Sequence, residues 1–384
     1  LAFAWLLYLT SRELGVRPDW SLGVALLEAL KPLNLHFALQ PMSAIVAATW
    51  TLAALYSALR SHRQAAWAAG AGAAFALAVL VRPTNLLLVV PLAFALPARL
   101  RAWLAFGLGG LPGAVFLAFY NHHLHGSITR SGYGDVSSLF SAGYLPGNLW
   151  HYVQWIPVVA SPLVLAAVAL PRVALERRPQ LILATWAGVI LLCYGAYYCT
   201  SETWWYLRFI LPGLPALGIA AALVLQEFRY PAWVFVSHFV PAGAPPDRRG
   251  AGRTVRVSAA LLLVVAALGW NAWWTRSLRA TQVELDERTY PLAGRWIAGQ
   301  LPADAVRVAY QMSGAAYYYS DKPVLMPIDL VPAEAERLDR WLTSHRRVLY
   351  AALYPDEEAL IREKLPGHWE VVTRLRRVTI WRRH

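Results

Sequence analysis

The chain has 384 residues, of which 58% are hydrophobic and 15% charged, and its mean hydropathy is +0.40. This composition is too apolar for a soluble domain and predicts an integral membrane protein. The formal net charge of +13 suggests nucleic acid as a partner. However, the basic residues lie in short connections rather than on one face with interleaved aromatic residues, so we expect contact with membrane lipids and no nucleic acid.

Apolar stretches predict about ten transmembrane helices, which form an all-α polytopic bundle in residues 1–276. The stretches are 1–11, 21–38, 41–60, 64–81, 84–98, 102–119, 149–170, 180–198, 207–227 and 255–274. The first is about half as long as a span. We therefore expect the front of this domain to be incomplete.

Arginines collect in every second connection between these stretches. They are Arg12, Arg17, Arg60, Arg63, Arg99, Arg101, Arg172, Arg177, Arg178, Arg229, Arg248, Arg249, Arg253 and Arg256. Because cytoplasmic loops carry an excess of Lys and Arg, the connections 33–41, 82–84, 120–148 and 199–206 are predicted to be outside the cytoplasm. Arginine outnumbers lysine by 32 to 3, which is typical of a GC-rich bacterial genome and favours the bacterial plasma (inner) membrane.

Residues 277–384 differ in composition, with charges throughout and alternating apolar and polar stretches. They predict a small soluble α/β domain on the outer side of the membrane. Helices are expected at 287–300, 313–319, 333–344 and 355–364, and strands at 305–310, 323–326, 347–352, 369–375 and 377–381. The domain has no glycine-rich phosphate loop, so a nucleotide site is not predicted.

Arg82 follows a long apolar stretch and precedes Pro83 at the predicted outer boundary. A cation beside hydrocarbon is costly unless the interface or an anion relieves it. Two interpretations remain open. The side chain extends to the lipid head groups, or it binds an anion such as a lipid-linked phosphate through two parallel donors.

A second cluster combines Arg208 with the acidic Glu202 and three consecutive aromatic residues, Trp204, Trp205 and Tyr206. One interpretation is an interfacial aromatic belt with an Arg–Glu pair. The other is a binding site, in which aromatic faces contact a sugar or an isoprenoid chain and Arg208 holds a phosphate.

The longest predicted outer connection contains Asn121, Tyr133 and Asp135, along with three histidines at 122, 123 and 125. Because no carboxylate or cysteine stands beside the histidines at ligand-like spacing, a polar turn is favoured over a metal site. Asp135 is the only acid of this connection and is a secondary catalytic candidate.

Four motifs in this order resemble the C-type (GT-C) membrane glycosyltransferases. They are Leu39-Gln40-Pro41-Met42-Ser43, Arg82-Pro83-Thr84, Ser131-Gly132-Tyr133-Gly134 and Tyr206-Leu207-Arg208-Phe209-Ile210-Leu211-Pro212. The most similar groups are the bacterial relatives of dolichyl-phosphate-mannose protein mannosyltransferases and of the aminoarabinose lipid A transferase.

The resemblance implies transfer of a sugar from a polyprenyl-phosphate carrier, with inversion, to a glycan, lipid or protein acceptor outside the cytoplasm. It implies a carboxylate base for the acceptor hydroxyl, and arginines or a divalent metal to stabilise the leaving phosphate. In the family the base is an aspartate of the first outer loop. That loop would precede Leu1, so we expect this fragment to lack the catalytic aspartate.

The resemblance also assigns roles to candidate residues. Arg82 and Arg208 would bind the carrier phosphate. The substrate would be lined by Tyr206, Trp204, Trp205, Glu202, Asn121 and Tyr133. The alternatives are a membrane transporter or lipid flippase, and a polymerase or ligase of lipid-linked glycans. A transporter is less favoured, because the sequence has no internal repeat and its polar residues crowd one face.

Overall fold

The computed structural model describes residues 1–40, 42–129, 139–173, 176–198, 200–201, 203–227, 248–283, 287–327 and 330–384, of which 248–260 and 360 contribute backbone only. Internal contacts divide the chain into two units, Leu1–Thr281 and Gln282–His384. The first is helical, and the second contains a five-stranded sheet.

Eleven α-helices are described in the first unit, and 3-10 helices link several of them. The α-helices are α1 (Ala2–Glu13), α2 (Pro18–Ala29), α3 (Pro32–Ala38), α4 (Ser43–Arg60), α5 (Ala66–Val81), α6 (Val89–Ala95), α7 (Leu100–His125), α8 (Leu145–Ala160), α9 (Arg177–Gly195), α10 (Leu214–Glu227) and α11 (Arg248–Ser277). The 3-10 helices are Pro83–Leu88, Ala142–Tyr144, Pro162–Arg172 and Trp204–Phe209.

Several predicted spans are broken into two helices at prolines. The stretch 149–170 is divided at Ser161, whose φ is 79°, and Pro162 then begins a 3-10 helix. The stretch 21–38 is similarly divided before Pro32. Proline lacks a backbone donor and disfavours helical geometry in the residue before it. Hydropathy alone does not register these breaks. The sequence therefore predicts one continuous span where the structure has two helices.

By length and composition, one described helix, α7, is able to cross a membrane alone. Two bent pairs qualify if each forms one span: α3 with α4, bent by 110°, and residues 142–160 with 162–172, bent by 112°. The predicted count of about ten spans therefore stays a prediction.

Helices α5 and α7 approach each other closely through glycines. A Cβ atom added to Gly72 would overlap the carbonyl oxygen of Phe106, and one added to Gly109 would overlap that of Ala69. Glycine therefore sets the spacing of these two helices, because the backbone of one occupies the space of a side chain on the other.

The interior of this unit also holds an ion pair. Lys31 is fully buried and its Nζ donates to Glu28 Oε2 at 2.6 Å, while Glu28 is 3% exposed. Asn34 Nδ2 donates to the carbonyl of Glu28 at 2.6 Å. These bonds tie the start of α3 to the end of α2.

The second unit contains the elements predicted for it. The helices are α12 (Thr289–Gln300), α13 (Ser313–Ser320), α14 (Pro332–Ser344) and α15 (Glu358–Lys364). The strands are β1 (Val306–Ala309), β2 (Val324–Leu325), β3 (Leu349–Leu353), β4 (Trp369–Leu375) and β5 (Val378–Arg383). The alternation of helices and strands predicted from the sequence is confirmed.

The strand order is β2-β1-β3-β5-β4. Strands β1, β2 and β3 are parallel, and β5 pairs antiparallel with β3 and with β4. Helices α13 and α14 make the crossovers that parallel strands require.

Glu357 is a buried carboxylate of this unit, 3% exposed, and accepts from the backbone amides of Gln311 and Tyr354, both at 2.8 Å. Its burial raises the pKa of the carboxyl.

Candidate functional site

Arg82 ends helix α5. Its extended backbone, with φ −147° and ψ 112°, is the conformation expected immediately before a proline. The guanidinium group contacts two other elements. Its Nη1 donates to the carbonyl of Arg208 at 2.9 Å, and its Nε donates to Ser43 Oγ at 3.3 Å. Arg82 thus joins the starts of α4 and of the 3-10 helix Pro83–Leu88 to the 3-10 helix Trp204–Phe209.

Arg208 lies in the last turn of the 3-10 helix Trp204–Phe209. Its Nη1 donates to Met42 Sδ at 3.2 Å. Its Cζ lies 5.4 Å from the ring centre of Tyr206 and 5.0 Å from that of Phe209. Within the described part of the chain it contacts no carboxylate. These aromatic faces stabilise its charge.

Both arginines pack on one ring. Arg82 Cζ is 5.8 Å and Arg208 Cζ 5.0 Å from the centre of Phe209. We call these two residues the arginine pair. Two like charges held on one half-buried ring repel each other, and a bound anion relieves this repulsion. The geometry suits a phosphate, whose oxygens accept from two guanidinium groups at once.

Further aromatic side chains surround Phe209. Tyr194, Tyr197 and Tyr206 lie with ring centres 5.3, 5.1 and 5.9 Å from it. Tyr194 Oη is also 2.6 Å from Thr84 Oγ1. The arginine pair therefore lies beside a cluster of aromatic rings. Helix α9 and the residues just after it contribute some of these rings, and the 3-10 helix Trp204–Phe209 contributes the others.

Some of these neighbours were missed by the sequence analysis. Met42 and Ser43 occur there only as part of a motif, and so does Phe209. Tyr194 and Tyr197 stand at the end of a predicted span, where aromatic residues are common. That clustering is the available signal, but it does not tell which ring faces the arginines.

The predicted lining residues have different surroundings. Tyr206 packs on Arg208, as described above. Trp204 is only 7% exposed, and its ring meets His36 edge-on at 5.0 Å. Trp205 is 41% exposed. Asn121, near the end of α7, donates to the carbonyl of Ile128 at 3.2 Å. Among the described contacts, only Tyr206 of these four touches the arginine pair.

Three candidates fall outside the described residues: Glu202, Tyr133 and the secondary catalytic candidate Asp135. In the described part of the chain, no three His, Cys, Asp or Glu side chains come together as a metal site would require.

The fold of the chain is that of the GT-C glycosyltransferases. ArnT from Cupriavidus metallidurans, bound to undecaprenyl phosphate, superimposes with a TM-score of 0.55 at 16% identity, covering 99% of this chain and 82% of ArnT. The apo state of ArnT gives 0.57 at 16% identity, with coverages of 100% and 83%.

The oligosaccharyltransferase of Archaeoglobus fulgidus, in its apo form, gives a TM-score of 0.50 at 14% identity and covers 96% of this chain and 60% of that one. The sequence matches no protein-family model and no curated protein. The resemblance to GT-C enzymes derived from the sequence motifs is thus confirmed at the level of the fold.

Proposed function

We propose that the protein transfers a sugar from a polyprenyl-phosphate-linked donor to an acceptor on the outer face of the membrane, with inversion at the anomeric carbon. The arginine pair on Phe209 carries this proposal. The fold supports it, because one protein that shares it binds undecaprenyl phosphate. The acceptor is a glycan, a lipid or a protein.

In this proposal Arg82 and Arg208 hold the phosphate of the carrier. Their charges stabilise the negative charge that grows on the phosphate as the bond to the sugar breaks. Tyr206 keeps Arg208 in place through its aromatic face, and Ser43 does so for Arg82 through its hydroxyl. A carboxylate base removes the acceptor proton, with Asp135 as a secondary candidate for that role.

The proposal is tested by binding of undecaprenyl phosphate to the protein in detergent. We expect Arg82→Ala and Arg208→Ala each to weaken binding by about tenfold or more, or about 1.4 kcal/mol, since each removes one charged donor group. Arg82→Lys and Arg208→Lys should lie between, because lysine keeps the charge but loses the planar fork.

Arg101→Ala is the matched control, since this exposed arginine lies in the first turn of α7, at a predicted cytoplasmic end. It should bind the carrier as the unaltered protein does. If the Arg82 and Arg208 variants bind undecaprenyl phosphate as tightly as the unaltered protein does, the assignment of the site is wrong. A radiolabelled carrier-sugar separates the alternatives: movement of the intact carrier across the membrane without transfer would favour a transporter or flippase.

A further inference from the structure

The second unit contains a polar cavity that has no part in the proposed transfer. Its volume is about 340 Å³, and it lies where α14 ends, β3 begins and β5 ends. Six polar or charged side chains and two leucines line it; the six are Asp339, Thr343, Arg346, Arg347, Arg383 and His384. We call it the Arg346 cavity.

Two of its three arginines are neutralised within the unit. Arg383 donates to both oxygens of Asp339, at 2.6 and 3.0 Å. Arg347 Nη1 lies 3.0 Å from Asp304 Oδ2. Arg346 is exposed, and its side chain makes no hydrogen bond or ion pair with any described residue. Of the three arginines that line the cavity, Arg346 is therefore the one without a carboxylate partner among the described residues, while the lining residue His384 has its Nε2 2.8 Å from Glu370 Oε2.

The backbone conformation of Arg346 indicates which substitution tests the cavity. Its φ is 51°, in the left-handed region. It stands two residues beyond Ser344, the last residue of α14, and here Arg347 N donates to the carbonyl of Leu342 at 2.9 Å and Arg346 N to that of Thr343 at 3.3 Å. This helix ending usually has glycine at the left-handed position, because a Cβ atom is strained there. An arginine in its place is strained, so glycine at position 346 is expected to relieve strain without disturbing the helix end.

We propose that the Arg346 cavity binds a phosphate group. Each guanidinium has five N–H donors in a planar fork. The ion pairs of Arg347 and Arg383 use only some of them, and all of those of Arg346 remain. Three forks around a polar recess suit the oxygens of a phosphate, and the volume leaves room for the organic group that bears it. The cavity involves neither Arg82 nor Arg208, so the inference is independent of the proposed transfer.

The phosphate is borne by a water-soluble molecule or by a membrane lipid, and one experiment distinguishes the two. Phenylglyoxal modifies accessible arginines, and mass spectrometry of peptides locates each modification. In the whole protein in detergent, inorganic pyrophosphate should slow the modification of Arg346 and Arg347 by about fivefold or more relative to sodium chloride of equal ionic strength. In nanodiscs without pyrophosphate, phosphatidylglycerol rather than phosphatidylcholine should give this protection if the phosphate is that of a lipid.

The decisive variant is Arg346→Gly. Because glycine is the preferred residue at this helix end, the variant should melt at the same temperature as the unaltered protein or higher. It should nevertheless lose the protection of Arg347. Arg376→Gly is the matched control, since Arg376 also has a left-handed φ, 57°, in the turn between β4 and β5. It should keep the protection, as should Arg82→Ala with Arg208→Ala.

The proposal is overturned if Arg347 is protected equally in Arg346→Gly and in the unaltered protein. It is also overturned if neither pyrophosphate nor phosphatidylglycerol slows modification more than chloride does. If the Arg82 and Arg208 variants lose carrier binding while Arg347 is still protected from phenylglyoxal, both proposals are upheld. Unchanged carrier binding with protection intact would remove the proposed transfer site and leave the Arg346 cavity in place.

Discussion

At the scale of single residues, charge in an apolar interior is the main feature of the first unit. Removing a charged group from water costs several kcal/mol, and a partner repays this only in good geometry. The structure uses two arrangements. Lys31 and Glu28 neutralise each other directly, whereas the arginine pair is surrounded by aromatic faces and backbone oxygen. The first arrangement is closed, and for the second we propose that guanidinium donors also bind a ligand.

The Lys31–Glu28 pair makes a clear prediction for stability. Lys31→Met should lower the free energy of unfolding by about 3 kcal/mol or more, because Glu28 is left buried without a partner. Adding Glu28→Gln should recover most of this loss, since no charge then remains inside. Denaturant unfolding in detergent measures both.

The control for this prediction is Arg17→Met, which breaks an ion pair with Asp19 whose side chains are 48% and 39% exposed. This substitution should lower the free energy of unfolding by less than about 1 kcal/mol. A loss in Lys31→Met no larger than in Arg17→Met would show that the buried pair is accessible to water, contrary to the structure.

At the scale of elements, helix pairing depends on small residues. Gly72→Ala should lower the free energy of unfolding by about 2 kcal/mol or more, because the added methyl group overlaps the carbonyl of Phe106 and forces α5 and α7 apart. The expected readout is a lower melting temperature in detergent.

Gly107→Ala is the matched change on α7 itself, where an added Cβ meets nothing within 4 Å. Since alanine favours the helix over glycine by about 1 kcal/mol in exposed positions, this variant should be neutral or slightly more stable. Equal destabilisation by the two substitutions would mean that the glycines serve helix flexibility rather than close packing.

At the scale of the whole molecule, contacts of the first unit fall into two groups. One group lies around the arginine pair and Asn148, whose Nδ2 donates to the carbonyls of Gly195 and Tyr197 at 2.8 and 2.7 Å. Connections predicted to be cytoplasmic meet elsewhere. Glu13 pairs with Arg60 at 3.2 Å and with Arg63 at 3.1 Å. The alternation of connections that the arginines predict, and the side of the membrane on which each group lies, stay predictions.

That side is measurable by cysteine labelling. In a protein with Cys193→Ser and Cys199→Ser, we expect Ser141→Cys and Lys322→Cys to react with a membrane-impermeant maleimide on intact cells, because both positions are predicted to be outside the cytoplasm. Gln64→Cys should react only after permeabilisation. Labelling of position 64 but not of position 141 in intact cells would show that the topology is the reverse of the predicted one. Lack of labelling at position 322 alone would show that the second unit lies in the cytoplasm.

The class of protein, the order of elements in the second unit and the two candidate arginines were predictable from the amino-acid sequence. These follow from local signals: hydropathy, charge alternation, proline positions and short motifs act over a few residues and survive without knowledge of partners. The same signals failed to register the breaks at Ser161 and before Pro32, because hydropathy measures length and not backbone geometry.

The folded chain was needed to show that Arg82 and Arg208, far apart in the sequence, share the ring of Phe209, and that Trp204 packs on His36. It also brought Arg346, Arg347 and Arg383 around one cavity. Such meetings depend on helix and strand packing, and the direction of a side chain is fixed by elements distant in sequence. A local pattern therefore names candidate residues, while the packed chain selects which of them can hold one ligand together.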